Sequence, residues 1–329
     1  MPITDQQDAT GIGTPNSTRS KDHVIPVLLN SEGGSLAGNS SDIPEQICNA
    51  FESFGREARI QLLRGQQLIE AASEVAHHPL VVVGGGDGTL GSVSSILGAR
   101  SSGTLGILPL GTRNHLARQL KIPMDVPGAV AVIANGERKA IDIASANDMG
   151  FVNNASIGFY PLLVRLRDAE RERLGIPKSI ANLIAGWSVF RRLRHHALRL
   201  QLDGETQTIR TPLLFVGNNT YSLDAGHIGE RGSLEDGQLS VFAVATRTRA
   251  ATLWFALRTA IGRSNPDDDF AAFGNCREAT LHAHSREIHI ALDGELHRMR
   301  SPIIFKIHPA ALTVMVPAAD VDPATDSGR

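Results

Sequence analysis

The chain has 329 residues, 42% of them hydrophobic and 20% charged, with a formal net charge of −2. That length suits two domains with cores of their own, and the near-neutral charge excludes a global electrostatic pull toward nucleic acid. The only two cysteines, Cys48 and Cys276, lie far apart and outside any metal-type spacing, so neither a disulfide framework nor a zinc ribbon is expected, and the reading is cytoplasmic.

Residues 1–22 are rich in Thr, Ser, Gly and Asp without an apolar core, and read as a disordered lead rather than a signal peptide. No uncharged apolar run approaches the roughly 18 residues that span a bilayer, so any membrane contact would be peripheral, at the inner face. "HVIPVLLN" (23–30) predicts a buried strand running into the turn-rich "NSEGGS". Ile43, Ile47, Ala50 and Phe51 recur at helical spacing over 42–54. "ARIQLL" (58–63) is a second strand, followed by a helix through "QQLIEAASEVA" (66–76). "LVVV" leads into a glycine loop and a helix over 89–98. "LGILPLG" (105–111) is another strand and turn, and "NHLARQL" a short helix that Pro123 stops. Strands alternating with helices imply βαβ units and a parallel sheet.

The texture changes after about residue 140. "AIDIASAND" and "GFVNNASIGF" read as strands joined by a tight turn, followed by a helical region over about 162–195. Strand-like runs with short polar turns then occupy 197–219, 237–246, 278–295 and 301–309, with alternation clearest in Thr206–Leu214 and Glu287–Leu292. This half predicts mainly antiparallel β structure. The expected fold is α/β in two domains: a Rossmann-like three-layer α/β domain over 23–140 and an antiparallel β-sandwich domain over 141–301. A last strand at about 302–317 is a candidate to return to the first domain, and 318–329 read as a disordered tail.

Gly86-Asp87-Gly88-Thr89-Leu90-Gly91 satisfies G-x-G-x-x-G after a strand and before a helix. A dinucleotide fingerprint also wants an acid about 20 residues on, yet no Asp or Glu occurs from Gly88 to Met124. A Walker A loop fails for want of Gly-Lys-Ser/Thr. An acid inside a phosphate-gripping loop makes sense when the ligand brings Mg²⁺. The carboxylate stabilises the cation, directly or through water, while glycine amides and the helix N-terminus reach phosphate oxygens. Thr89 would add a hydroxyl or cap that helix. The plain alternative is a strand-to-helix turn that needs positive φ.

"VVVGGGDGTLGSV" followed by "LGILPLGTRNHLARQLKIP" resembles the catalytic domain of the diacylglycerol kinase and sphingosine kinase family, in its bacterial soluble branch. The GGDGT signature matches Gly85 to Thr89, and LP-LGT-x-N-(D/H)-x-A matches Leu108 to Ala117. "FVNNASIGFY" (151–160), "FVGNN" (215–219), "EDGQL" (235–239) and "LDGE" (292–295) follow in the family's order, so the resemblance covers roughly 23–317. It implies an ATP- and Mg²⁺-dependent kinase of a lipid or lipid-like alcohol such as diacylglycerol, with nucleotide on the first domain and metal loop and acceptor pocket on the second. A homodimer is a family expectation.

Carried onto this chain, the resemblance assigns Gly85, Gly86, Asp87, Gly88, Thr89 and Thr112 to the nucleotide and Asn114 to local organisation. Asn30 and Ser31, in "NSEGG", match a nucleotide segment that usually reads N-P-x-S-G. Within "LDGE" at 292–295 it implies the catalytic base, Glu295 first and Asp293 second. Asp-Gly is also the commonest hairpin signal; that reading is taken for the second "LDGE", at 202–205, and competes at 292–295. "SLEDGQL" (233–239) resembles a metal loop that would hold Mg²⁺ by the Asp236 side chain and the carbonyls of Ser233 and Gln238, against an ordinary Asp-Gly turn. His115, Gly91 and "SLDAGHIGERGSL" depart from the family's pattern.

The helix at 180–199 has an apolar face and a basic end at Arg191, Arg192, Arg194 and Arg199; it suits packing on the β domain or docking on an anionic membrane. His282, His284 and His289 read as structural or surface residues, and "NPDDDF" (265–270) as a polar loop. Two rival functions stand beside the lipid kinase: an NAD kinase, which shares GGDGT, and a non-catalytic nucleotide or lipid sensor.

Overall fold

The computed structural model describes residues 24–32, 34, 42–98, 103–158, 196–221, 231–244 and 270–318. The expectations for 1–22, for the helical region at 162–195 with its basic end before Arg199, for residues 265–269 and for the tail beyond 318 lie outside them.

The first half alternates strands and helices. β1 (Val24–Asn30), β2 (Glu57–Leu63), β3 (Leu80–Gly85) and β4 (Thr104–Pro109) run parallel in the order β2-β1-β3-β4. β1, β3 and β4 are near-continuous apolar runs because both faces of the sheet are covered there, whereas the edge strand β2 mixes polar and apolar residues and has none buried. α1 (Ile43–Ser53) packs with α5 (Val126–Asn135), and α2 (Gly65–Val75) packs with α3 (Asp87–Gly98). Ile43, Ile47 and Phe51 form the buried stripe of α1, and Phe51 is wholly enclosed. α4 (His115–Gln119) is a single short turn after β4. The sequence reading has no counterpart of α5, although its signals are strong. Asp125 accepts the Gly128 amide at 2.8 Å as N-cap, Pro127 stands in the first turn, and Gly136 follows the end.

The second half is antiparallel. β5 (Glu137–Ala146), β6 (Met149–Phe151) and β7 (Asn154–Gly158) lead to β8 (His196–Leu202), β9 (Glu205–Thr211), β10 (Leu213–Asn218), β11 (Leu239–Val244) and β12 (Phe270–Cys276). β13 (Glu278–Ala283), β14 (Glu287–Leu292), β15 (Glu295–Arg300) and β16 (Ile303–Val316) complete the chain. A six-stranded sheet, β12-β11-β10-β7-β14-β15, faces β5, β8, β13 and β16 across a core that includes Phe151, Phe305, Ile290 and Leu200. This is the antiparallel β-sheet domain of the fold, set after a parallel-sheet α/β domain.

β16 belongs to both halves. Its first residues pair with β13, while Thr313 and Val314 run parallel to Thr104 and Leu105 of β4. β5 flanks it along nearly its whole length, and the ladder breaks between His308 and Leu312. Buried Asp142, 2% exposed, fills that break by accepting the Ala310 amide at 2.8 Å.

Candidate active site

Asn30, Gly85 and Pro109 end β1, β3 and β4 at one edge of the parallel sheet. The chain leaves β1 toward β2 and leaves β3 the opposite way, toward β4. Ligands of such sheets bind in the crevice opened by that reversal, and the glycine loop lies there. None of Gly84, Gly85, Gly86 and Gly88 has a positive φ, so positive φ is not what this turn asks of them. These glycines are needed for closeness. A Cβ at Gly85 would stand 2.8 Å from the Thr89 side chain, and one at Gly111 would overlap the Gly86 backbone. The Gly111 amide donates to Gly85 O at 3.1 Å, joining the two loops.

Asp87 has partners other than the magnesium expected of it. It is 7% exposed, and its two carboxylate oxygens accept the His115 and Leu116 amides, each at 3.0 Å. The acid of GGDGT therefore caps α4 and fixes the LGTRN loop to the glycine loop. Asn114, with φ 51°, donates through Nδ2 to Pro109 O and Gly111 O at 2.9 and 2.8 Å, while its Oδ1 is buried without a partner. Asn30 Nδ2 donates to Thr89 Oγ1 at 2.9 Å, and its Oδ1 accepts the Glu32 amide. The Ser31 hydroxyl is engaged with β2, donating to Leu63 O at 3.2 Å. Thr112 and the His115 ring are exposed.

The two "LDGE" segments fold alike. Asp203-Gly204 and Asp293-Gly294 all have positive φ, in two-residue hairpins joining β8 to β9 and β14 to β15. Being a hairpin thus distinguishes neither; their surroundings do. The Asp203 carboxylate meets exposed amides of Arg277 and Glu278. Asp293 reaches inward, accepting the amides of Val152, Asn153 and Asn154 at 2.8, 2.8 and 3.1 Å. Burial pushes its pKa up to about 7, outweighing these three hydrogen bonds, which act the other way. A Cβ at Gly91 of α3 would stand 2.6 Å from Asp293 Oδ2. Glu295 lies against Gly88, where a side chain would overlap its carboxyl group. Partial burial raises the Glu295 pKa and lowers that of His297, two residues along β15. A cavity of about 420 Å³ opens here, lined among others by Asn30, Thr89, Ser95, Asp148, Glu295 and His297.

All the residues assigned from sequence except Ser31, Thr112 and Asn114 fall into two groups. Asn30, Gly85, Gly86, Asp87, Gly88, Thr89, Asp293 and Glu295 converge where the hairpin meets α3. The acidic loop is a separate cluster: Asp236 Oδ2 accepts the Thr220 amide at 3.1 Å, and Asn219 Oδ1 accepts the Asp236 and Gly237 amides. The second oxygen of Asp142 accepts the Gly237 amide at 2.7 Å, so one buried carboxylate braces both this loop and the break in β16. Among the described residues no group of three His, Cys, Asp or Glu side chains is placed to hold a metal ion. One carboxylate with loop carbonyls at Ser233 and Gln238 is nonetheless a hard-oxygen set, which suits Mg²⁺ because that ion retains much of its water. His282 and His289 are exposed on β13 and β14, and His284 is exposed in the turn between them. Sequence reasoning missed Asp142 and Arg231. The first was signalled by an acid amid buried apolar neighbours in β5, the second only by its place in the departing segment.

The Diacylglycerol kinase catalytic domain profile matches residues 25–146, and the YegS C-terminal NAD kinase beta sandwich-like domain profile matches 166–316. An uncharacterized protein of Synechocystis sp. is 28% identical over 253 residues, 72% of this chain, which spans just 54% of that relative's length. A Pseudomonas aeruginosa protein named "Probable lipid kinase YegS-like" is 28% identical over 310 residues, 91% of this chain and 95% of its own. A Staphylococcus aureus diacylglycerol kinase is 29% identical over 173 residues, 51% of this chain and 53% of its own. The crystal structure of a diacylglycerol kinase from Bacillus anthracis shares the fold, with a TM-score of 0.61 at 19% identity, over 89% of this chain and 97% of its own. The chain thus carries a diacylglycerol kinase catalytic domain over residues 25–146, followed by a YegS C-terminal NAD kinase beta sandwich-like domain over 166–316.

Proposed function

We propose that the chain transfers the γ-phosphate of ATP, with Mg²⁺, to a hydroxyl of a lipid such as diacylglycerol. The observation that carries this is the seating of the Glu295 carboxyl group against Gly88, at the first turn of α3. That contact joins the phosphate-type loop of one half to the acidic hairpin of the other. Donor and acceptor could meet there.

On this reading the residues divide the work. The first amides of α3 and the bare Cα atoms of Gly86 and Gly88 admit phosphate oxygens, and Asn30 holds the Thr89 hydroxyl in place. Glu295 takes the proton of the acceptor hydroxyl as its oxygen bonds to the γ-phosphorus and the bond to ADP breaks. Its raised pKa makes it a stronger base than an ordinary carboxylate, and its position leaves it free to act. Asp293 is the positioning acid, since its oxygens are committed to the 152–154 amides. Asp236 with the Ser233 and Gln238 carbonyls would hold a Mg²⁺ that braces the acidic loop.

Among the described residues no helix is long and apolar enough to cross a membrane, so the lipid would be met at a surface. The test is transfer of label from γ-³²P-ATP by purified chain to diacylglycerol micelles, to a total lipid extract and to NAD in parallel. Label in a lipid is expected. Label in NAD alone would replace this reading by the NAD kinase, and ATP binding with no labelled acceptor would replace it by the sensor.

A further inference from the structure

Arg231 stands just before the acidic loop, and no motif role above claims it. Its Nε donates to Gln119 Oε1 at 2.9 Å, and Gln119 Nε2 donates back to the Arg231 carbonyl at 3.0 Å. Nη1 donates to Val152 O at 2.6 Å and to Asn218 O at 3.1 Å, and Nη2 to Asn153 Oδ1 at 3.2 Å. Tyr221 lies beside the guanidinium, 5.9 Å from its ring centre, and donates its hydroxyl to Asn153 O at 3.0 Å. Burial lowers the arginine's pKa, but a guanidinium keeps its charge where an amine would lose it.

These bonds close a ring. Asp87, which opens α3, holds the first amides of α4. α4 ends at Gln119, and Gln119 holds Arg231. Arg231 grips Val152 and Asn153, whose amides hold Asp293. Asp293 stands against Gly91, one turn along α3 from Asp87. We infer that Arg231 is a positioning residue for phosphoryl transfer, a clasp that sets the Asp293 amide cradle relative to the loop held by Asp87. The inference rests on the proposed kinase reading of that junction. A lysine cannot replace the clasp, because one ammonium cannot span acceptors on three separate segments as a planar fork with five donors does.

The test is Arg231→Lys in the full chain, compared with Gln119→Ala and the double variant. Displacing a reacting group by about 1 Å costs on the order of a hundredfold. Expected for Arg231→Lys is therefore a kcat about ten- to a hundredfold lower, with KM for ATP within about threefold. Amide hydrogen exchange should quicken at Val152, Asn153 and Asn154. Gln119→Ala should act in the same direction more weakly, and the double variant should lose less than the two effects added. If Arg231→Lys fails to fold, Gln119→Ala decides alone. Wild-type kcat in the variant, or unchanged exchange at 152–154, would overturn the clasp. Exchange needs no turnover, so a wild-type protein inactive on every acceptor sinks the kinase reading while exchange still judges the ring.

Discussion

At the scale of single residues, the two glycines that receive the hairpin acids make opposite predictions. Gly88 and Gly91 both lie in α3 without positive φ, where alanine would ordinarily gain up to about 1 kcal/mol. At Gly88 the obstructed atoms are the far end of the Glu295 side chain, which can swing away. Gly88→Ala should therefore leave the thermal midpoint within about 2 °C and lower kcat at least about tenfold, because the displaced group is the proposed base. At Gly91 the neighbours include the Gly150 carbonyl and Phe151 Cα, each at 3.3 Å, and backbone does not yield. Gly91→Ala should lose about 1–3 kcal/mol of stability together with activity. Calorimetry beside steady-state kinetics separates the two. A fully active Gly88→Ala would remove Glu295 from the chemistry.

At the scale of elements, β5, β16 and the acidic loop depend on one side chain. Removing the Asp142 carboxylate strands the Gly237 and Ala310 amides in the interior, at about 1–3 kcal/mol each. Asp142→Ala should lower the urea midpoint markedly, and Asp142→Asn, which keeps one acceptor oxygen, should fall between. Equal midpoints for wild type and Asp142→Ala would show that the loop and the break are held otherwise. The same elements mark how far the sequence can be read. The strands β1, β3 and β4 were legible as apolar runs, and α1 from the helical spacing of Ile43, Ile47 and Phe51. α5 escaped because a run as apolar as Val130–Ala134 carries little face-to-face contrast, and its signal lay in the cap at Asp125. β16 was legible as a last strand over about 302–317, but the break in its ladder between His308 and Leu312 was not. The GGDGT and LDGE acids were legible as types at their spacing. Their partners were not, since the amides of 115–116 and 152–154 lie 28 and about 140 residues away and a backbone N–H leaves no mark in a sequence.

At the scale of the whole molecule, the two hairpin acids set stability and activity against each other as pH changes. Asp293 holds its proton up to about 7 in the folded chain, against an ordinary value of 3.8. Between those values the folded state binds a proton that the unfolded chain has released, so stability falls as pH rises from about 4 to about 7 and is flat beyond on this account. Glu295 must be ionised to accept a proton, and its pKa is raised as well, so activity climbs across part of the same window. The thermal midpoint of wild type should drop between about pH 5 and about pH 8 by more than that of Asp293→Asn, which has no group to titrate. Glu295→Gln should change the midpoint profile less than Asp293→Asn does, while kcat falls about 10²- to 10⁴-fold and loses its acid limb. The two variants thus assign each limb to one carboxyl group. Identical midpoint profiles for wild type and Asp293→Asn would mean that the buried acid is ionised throughout, its three amide bonds outweighing its burial.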